Sequence, residues 1–345
     1  MPRGERGACG RHRAVAVCGL LGLAISGCMP VPARAGRNVS ECRDIADDRE
    51  RLECYDRDSR PESGVAEWPG GPGERLPENA VKESFLSQIW ELDEDTRKGK
   101  YALKLHRSSY ALPFTFNASP NEAAAGRAGP SADLMKPEVA FQMSVKAKLW
   151  QDIRSRPADL WICYTQRSFW QMYDFDNSSP FRETNYEPEI LLNFRTGYRV
   201  LGLEGRFVSF GLNHQSNGQA EPLSRSWNRL VMNFGFERGP LSLVLKTWYR
   251  LPEPDDDDDN PGIEKYLGYG ELWAYYFHGR HRFGVMVRDN LDFDSNRGAV
   301  QLEWVFPLIF DNIGGYVQYF GGYGESLLDY DHKVNRVGFG FVLLD

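Results

Sequence analysis

The chain has 345 residues, 41% apolar and 13% aromatic, enough to bury a large core as one large domain or two. Its net charge of −7 offers no basic field, which argues against nucleic acid as a partner. A mean hydropathy of −0.50 argues against a bundle of membrane helices, but not against a membrane β-barrel, whose strands are apolar on one face only.

The N-terminus reads as a processing segment, residues 1–35. Arg3, Arg6, Arg11 and Arg13 precede "AVAVCGLLGLAISG", a run too short and too early for a spanning helix. Two cleavage sites compete: "ISGC" would make Cys28 a lipidated N-terminus, and "ARA" ending at Ala35 suits an ordinary signal peptidase. Either one exports the protein. Of the six cysteines, Cys9 and Cys18 leave with the signal, and Cys28 is lost or lipidated. Cys42 and Cys54 flank "RDIADDRERLE", a good helix former. One straight helix would hold them about 18 Å apart, so a disulfide requires the helix to break or turn back. Cys163 reads as a small apolar residue in a strand, and no CxxC pair suggests a metal.

Residues 36–97 are charged and rich in Pro and Gly, with one helix-like piece and the biased stretch "GVAEWPGGPGERLPEN". They read as a periplasmic extension or linker. From residue 98 to 345 the pattern changes to segments of alternating hydrophobicity. In chain order the predicted strands are "KYALKLHRSSYALPF", "EVAFQMSVKAKLW", "DLWICYTQRSFWQ", "NYEPEILLNFRT", "GRFVSFGLNHQS", "SWNRLVMNFGFE", "LSLVLKTWYRL", "YLGYGELWAYYFH", "HRFGVMVRDNL", "AVQLEWVFPLIF", "GGYVQYFGGYG" and "RVGFGFVLLD". Short connections ("ERGP", "HGR", "DNI") alternate with long ones ("YDFDNSSPFRET", "PEPDDDDDNPGI"), and aromatics crowd the strand ends. The pattern predicts an all-β fold, a twelve-stranded antiparallel transmembrane β-barrel of the outer membrane, following the N-terminal periplasmic extension. A soluble β-sandwich is the plainer alternative, and an even strand count with an export signal fits it less well.

Parity assigns each residue a face. In "RFVSFGLNHQS", Val208, Phe210 and Leu212 share the apolar face with His214 and Ser216, while Ser209, Gly211, Asn213 and Gln215 share the other. In the next strand Asn228 shares a face with Leu230, Met232, Phe234 and Phe236. An antiparallel hairpin with His214 opposite Asn228 would gather three polar groups outside the barrel, their Cβ atoms about 5 Å apart across the pair. A histidine at a strand end can simply mark the headgroup boundary, and Ser or Asn there can cap a turn. Together they read as a hydrolase triad: Ser216 the nucleophile, His214 its general base and Asn228 the group that fixes the imidazole tautomer. An amide suits the third role, because an ionised carboxylate facing hydrocarbon carries a heavy desolvation cost. A nucleophile at the membrane edge meets the ester bonds of phospholipids.

The runs "NHQSNG", "SRSWNR", "SSPFRETNYEP", "NPGIEKYLGY" and "YGESLLDYD" resemble the outer-membrane phospholipase A family over roughly residues 98–345. The resemblance implies a calcium-bound homodimer acting on phospholipids and lysophospholipids, with Ser216, His214 and Asn228 in the roles above. It also implies an oxyanion hole from the Ser216 amide and Gly218, assisted by calcium-bound water. The family's Ca²⁺ ligands carry over to Ser224, to the carbonyl of Gln219 and to Ser178, the last given across the dimer. Glu221 and Asp259 fall where the family carries acidic residues of a second, weaker site. Hard oxygens on loops suit Ca²⁺. Gln166 shares the face of Leu160, Ile162, Tyr164 and Trp170, and a lone amide there wants a partner. A second copy across a two-fold axis would supply one, and the family likewise places a glutamine at the dimer interface. The rival from another class is a passive barrel, a porin or scaffold, for which the three polar residues would have no task.

Overall fold

The computed structural model describes Asp47 and residues 84–128, 134–309 and 312–344. The chain divides into two units, Met1–Glu78 and Asn79–Asp345, and every described helix and strand belongs to the second. The expected export signal, the two cleavage sites and the Cys42–Cys54 pair lie outside the described residues.

Thirteen strand segments form one antiparallel sheet: β1 (Leu103–Leu105), β2 (Tyr110–Asn117), β3 (Pro137–Trp150), β4 (Ala158–Trp170), β5 (Phe181–Val200), β6 (Leu203–Ser216), β7 (Ser226–Arg238), β8 (Leu241–Arg250), β9 (Gly270–His278), β10 (His281–Asp289), β11 (Gly298–Pro307), β12 (Ile313–Tyr323) and β13 (Lys333–Leu343). From β3 onward each strand pairs with the next in the chain, and β13 returns to β2. The sheet therefore closes and leaves no edge to be covered. β1 and β2 both pair with β3, at Val145–Ala147 and Pro137–Gln142, and so make one interrupted stave. The barrel thus has the twelve staves that the alternation predicts. Among the described residues no helix is long and apolar enough to cross a membrane.

The two faces follow the parity of the sequence. In β6, Phe210 and Leu212 are 46% and 51% exposed, whereas Ser209 and Asn213 are 0% and 2%. The apolar row points outward and the polar row into the lumen. One rim carries tight turns. At Leu201–Gly202, between β5 and β6, both residues have positive φ (51° and 78°), the backbone that a two-residue hairpin of native twist requires. The opposite rim carries the long connections, whose described residues are 118–128 with 134–136, 171–180, 217–225, 251–269, 290–297 and 324–332.

Charged residues cross-link the lumen. Glu187 accepts from both terminal guanidinium nitrogens of Arg107 (2.8 and 3.0 Å) and from Arg229 (3.2 Å). Glu189 accepts from Arg107 (2.9 Å) and Lys246 (3.0 Å) and meets His106 Nε2 at 3.1 Å. A cavity of about 440 Å³ remains among these groups.

The tight-turn end is plugged by a helix that sequence patterning assigns to the extension. Helix α1 (Phe85–Trp90) is capped by Ser84, whose side chain accepts from the Ser87 amide. Glu237, beside the β7–β8 turn, accepts from the Leu86 amide at 2.9 Å and from the Ser84 hydroxyl. Leu86 and Trp90 are buried against Trp161 and Phe207, and Lys146 Nζ sits 3.4 Å from the centre of the Trp90 ring. The boundary expected at residue 98 therefore falls too late, because the chain already packs into the barrel from Phe85. Six residues are too few for a helical period to stand out among charged neighbours.

Candidate active site

The outward row of β6 ends at the long-loop rim, and β7 starts there. In the β6–β7 ladder His214 lies opposite Asn228 and Ser216 opposite Ser226. On the other side Ser216 pairs with Tyr186 of β5, and the ladder resumes only at Asn213↔Glu189. The gap falls at Pro188, which has no N–H to donate.

The side chains join as the parity predicts. His214 Nδ1 and Asn228 Oδ1 are 2.9 Å apart, and Asn228 Nδ2 donates to Glu253 Oε1 at 3.0 Å. The second bond settles the first. A carboxylate can only accept, so it takes the amide nitrogen and leaves Oδ1 facing the imidazole. An amide oxygen likewise only accepts, so His214 Nδ1 carries the ring proton and donates it. In the neutral ring Nε2 is then the free base. Ser216 stands two residues further along the same outward row. Among the described residues no hydrogen bond joins its hydroxyl to His214. Bonds of this kind are often long in unliganded sites and tighten around substrate.

The loop after Ser216 is held by Asn217, which is buried. Its Oδ1 accepts from the amides of Gln219 (3.2 Å) and Arg225 (3.0 Å), and its Nδ2 donates to the Leu223 carbonyl at 2.8 Å. Gly218 has φ +64°, and a Cβ there would lie 3.2 Å from the Tyr186 ring. Only glycine takes this backbone without strain. Across the rim, Ser224 donates to Asp259 Oδ2 at 2.7 Å, and the Ser226 amide donates to Asn260 Oδ1 at 3.0 Å.

Of the expected calcium ligands, Ser224 and Asp259 are thus brought together. Gln219 and Glu221 are exposed on the same loop as Ser224, and Ser178 is exposed on the β4–β5 loop. Among the described residues no group of three or more His, Cys, Asp or Glu could hold a metal.

Gln166 is not the lone amide that the sequence suggests. Tyr164 Oη donates to its Oε1 at 3.1 Å, and its Nε2 donates to Ser168 Oγ at 3.3 Å. Both neighbours lie two residues away on its own strand and share its face. A second chain is therefore not needed to satisfy it.

Sequence reading missed Asn217 and Glu253. Asn217 sits between Ser216 and Gly218 in "HQSNG", where an Asx residue commonly bonds the backbone two positions on. Glu253 lies in the charged run "PEPDDDDDN", and nothing in its sequence position separates it from the solvated acids after it.

Known proteins share this fold and are similar in sequence. Residues 86–343 match the family model described as phospholipase A1. Phospholipase A1 of Escherichia coli K12 is 38% identical over 77% of this chain and 88% of its own length. The outer membrane phospholipase A structure from Escherichia coli superposes with a TM-score of 0.67 at 36% identity, covering 75% of this chain and 98% of that one. A Salmonella typhi outer membrane phospholipase, solved as a dimer with bound calcium, gives 0.69 at 35% identity and covers 77% and 99%. With the closed barrel and the rim geometry, these likenesses establish that the chain belongs to the phospholipase A1 family, hydrolases built on a twelve-stranded barrel of the Gram-negative outer membrane.

Proposed function

We propose that Ser216, His214 and Asn228 hydrolyse the acyl esters of phospholipids and lysophospholipids from the outer, lipid-facing wall of the barrel. The observation that carries this reading is the 2.9 Å contact between His214 Nδ1 and Asn228 Oδ1 on an otherwise apolar row. With Nδ1 protonated, Nε2 accepts the Ser216 proton as Oγ adds to the ester carbonyl carbon. The Ser216 amide and Gly218 receive the oxyanion. Collapse breaks the bond to the glycerol oxygen, which takes the proton from Nε2 and leaves as the lyso product. Water, deprotonated by the same nitrogen, then adds to the acyl carbon; the bond to Ser216 Oγ breaks, Oγ takes the proton back from Nε2, and the fatty acid leaves. Cross-linking of the lumen by Arg107, Glu187, Glu189 and Lys246 supports this reading over a passive pore.

The relative solved as a calcium-bound dimer suggests the cofactor and the assembly. The hydroxyl of Ser224 donates to Asp259 and so keeps lone pairs for a cation, which makes the donor set fit Ca²⁺. Ser224 and the Gln219 carbonyl would hold the ion with Ser178 of the partner subunit, and Glu221 and Asp259 would add charge nearby. Bound there, the ion would supply positive charge to stabilise the developing oxyanion. In a homodimer Gln166 would lie at the interface. The test is fatty-acid release by refolded protein in phospholipid micelles, with Ca²⁺ or EDTA, beside Ser216→Ala. Calcium-dependent release that the mutant lacks is expected, and full release by the mutant would overturn the triad.

A further inference from the structure

Asn228 is held from behind. The Leu251 amide donates to the Asn228 carbonyl at 2.8 Å, which ties the end of β8 to this residue. Two positions on, Glu253 turns one carboxylate oxygen to Asn228 Nδ2 (3.0 Å) and the other to Arg250 Nη2 (3.4 Å). Arg250 is itself fixed by Asp258 at 2.5 Å and Glu264 at 3.3 Å. Glu253 is flanked by Pro252 and Pro254. The two rings fix φ on either side, and a residue before proline is kept extended, so the segment loses little freedom when it docks.

We propose that Glu253 is a positioning residue that acts through Asn228 to set the tautomer of His214. The proposal rests on the triad reading above. An isolated Asn amide can face the imidazole with either end. Oxygen toward Nδ1 leaves Nε2 as the base, whereas nitrogen toward Nδ1 forces the proton onto Nε2, where it cannot receive the Ser216 proton. The carboxylate removes this choice, because a turned amide would set Oδ1 against Glu253 Oε1, two acceptors without a proton between them. Glu253 lies on a loop and is only partly exposed, so the charge that selects the tautomer stands behind the neutral amide rather than against the lipid-facing imidazole. Asn228 passes the orientation on without placing an ion on the apolar row.

The test measures kcat and KM on a chromogenic acyl ester and on micellar phospholipid, with barrel folding checked by heat-modified gel mobility. Glu253→Ala should lower kcat about tenfold with KM unchanged, since the base is lost in part of the population. Glu253→Gln, which can still accept from Asn228 Nδ2, should recover most of that loss. Glu264→Gln takes a carboxylate from Arg250 without touching Asn228 and should stay within about twofold of the parent. The deciding comparison is made in the Asn228→Ala background, where adding Glu253→Ala should change nothing. Full kcat in Glu253→Ala, or an equal loss with and without Asn228, would overturn the proposal. The triad would still stand if Ser216→Ala is inactive in the same assays, so the two failures can be told apart.

Discussion

Polar groups cluster in two regions of this barrel, the buried lumen and the half-exposed outer wall, and they are built on opposite plans. In the lumen, Glu187 and Glu189 are each met by several cations at once, and Asn213 joins them by donating to Glu187 at 2.7 Å. Redundant partners leave little unsatisfied and hold the staves together, which is a structural task. On the outer wall His214, Asn228 and Glu253 form a single file in which each bond fixes the next, and among the described residues the Ser216 hydroxyl makes no hydrogen bond. A linear relay with one free hydroxyl is poor glue but suits a reaction. The contrast separates buried polarity that stabilises from half-buried polarity that is poised.

Substitutions should separate the two regions. Ser216→Ala should abolish ester hydrolysis by about 10³-fold or more while the barrel folds and melts as before. A comparable loss of melting stability would mean that the outer row is structural after all. Asn228→Ala should cost about 10²-fold in kcat, again with little change in KM. In the lumen the signature should invert. Glu187→Ala would leave Glu189 as the one acid paired with Arg107 and Lys246 and would take the ion pair from Arg229, and it should lower unfolding stability by about 3 kcal/mol. The molecules that remain folded should turn over substrate near the parental rate. Equilibrium unfolding in urea with micelles, followed by Trp fluorescence, measures the first quantity, and initial rates measure the second. Ser224→Ala should lie between the regions: folding intact, maximal rate retained, and the Ca²⁺ needed for half activity raised about tenfold, as for one lost ligand.

How far the sequence was legible follows the same division. The staves, their faces and the opposition of His214 to Asn228 all come from period-two alternation, which a barrel of this kind enforces at nearly every position. Side chains that break the alternation, such as His214 in the row of Phe210 and Leu212, therefore stand out. Helix α1 does not, because a plug needs only Leu86 and Trp90 to fit and carries no repeat. Glu253 was hidden for another reason. Its role depends on Leu251 and Arg250 bringing one acid of an acidic loop back to β7, a tertiary contact with no local mark. Gln166 misled in the opposite sense. Parity gives its face but not its partners, Tyr164 and Ser168, which lie two residues to either side on the same strand.

Gln166 also gives the mildest and most discriminating test of assembly. Its two hydrogen bonds are long and lie on one strand, so removing the amide should cost the monomer no more than about 1 kcal/mol. If a second copy packs against this face, Gln166→Ala loses a contact made in an apolar setting, where interhelical polar contacts measured in membranes average about 0.6 kcal/mol. The shift in dimer dissociation constant should then be only a few-fold, read by analytical ultracentrifugation in Ca²⁺-containing detergent. Activity should fall at low protein concentration and recover at high concentration, because mass action restores the dimer. Loss of activity that concentration does not restore would place the effect inside the monomer, through Tyr164 and Ser168. An unchanged dissociation constant would move the dimer contact to another part of the wall.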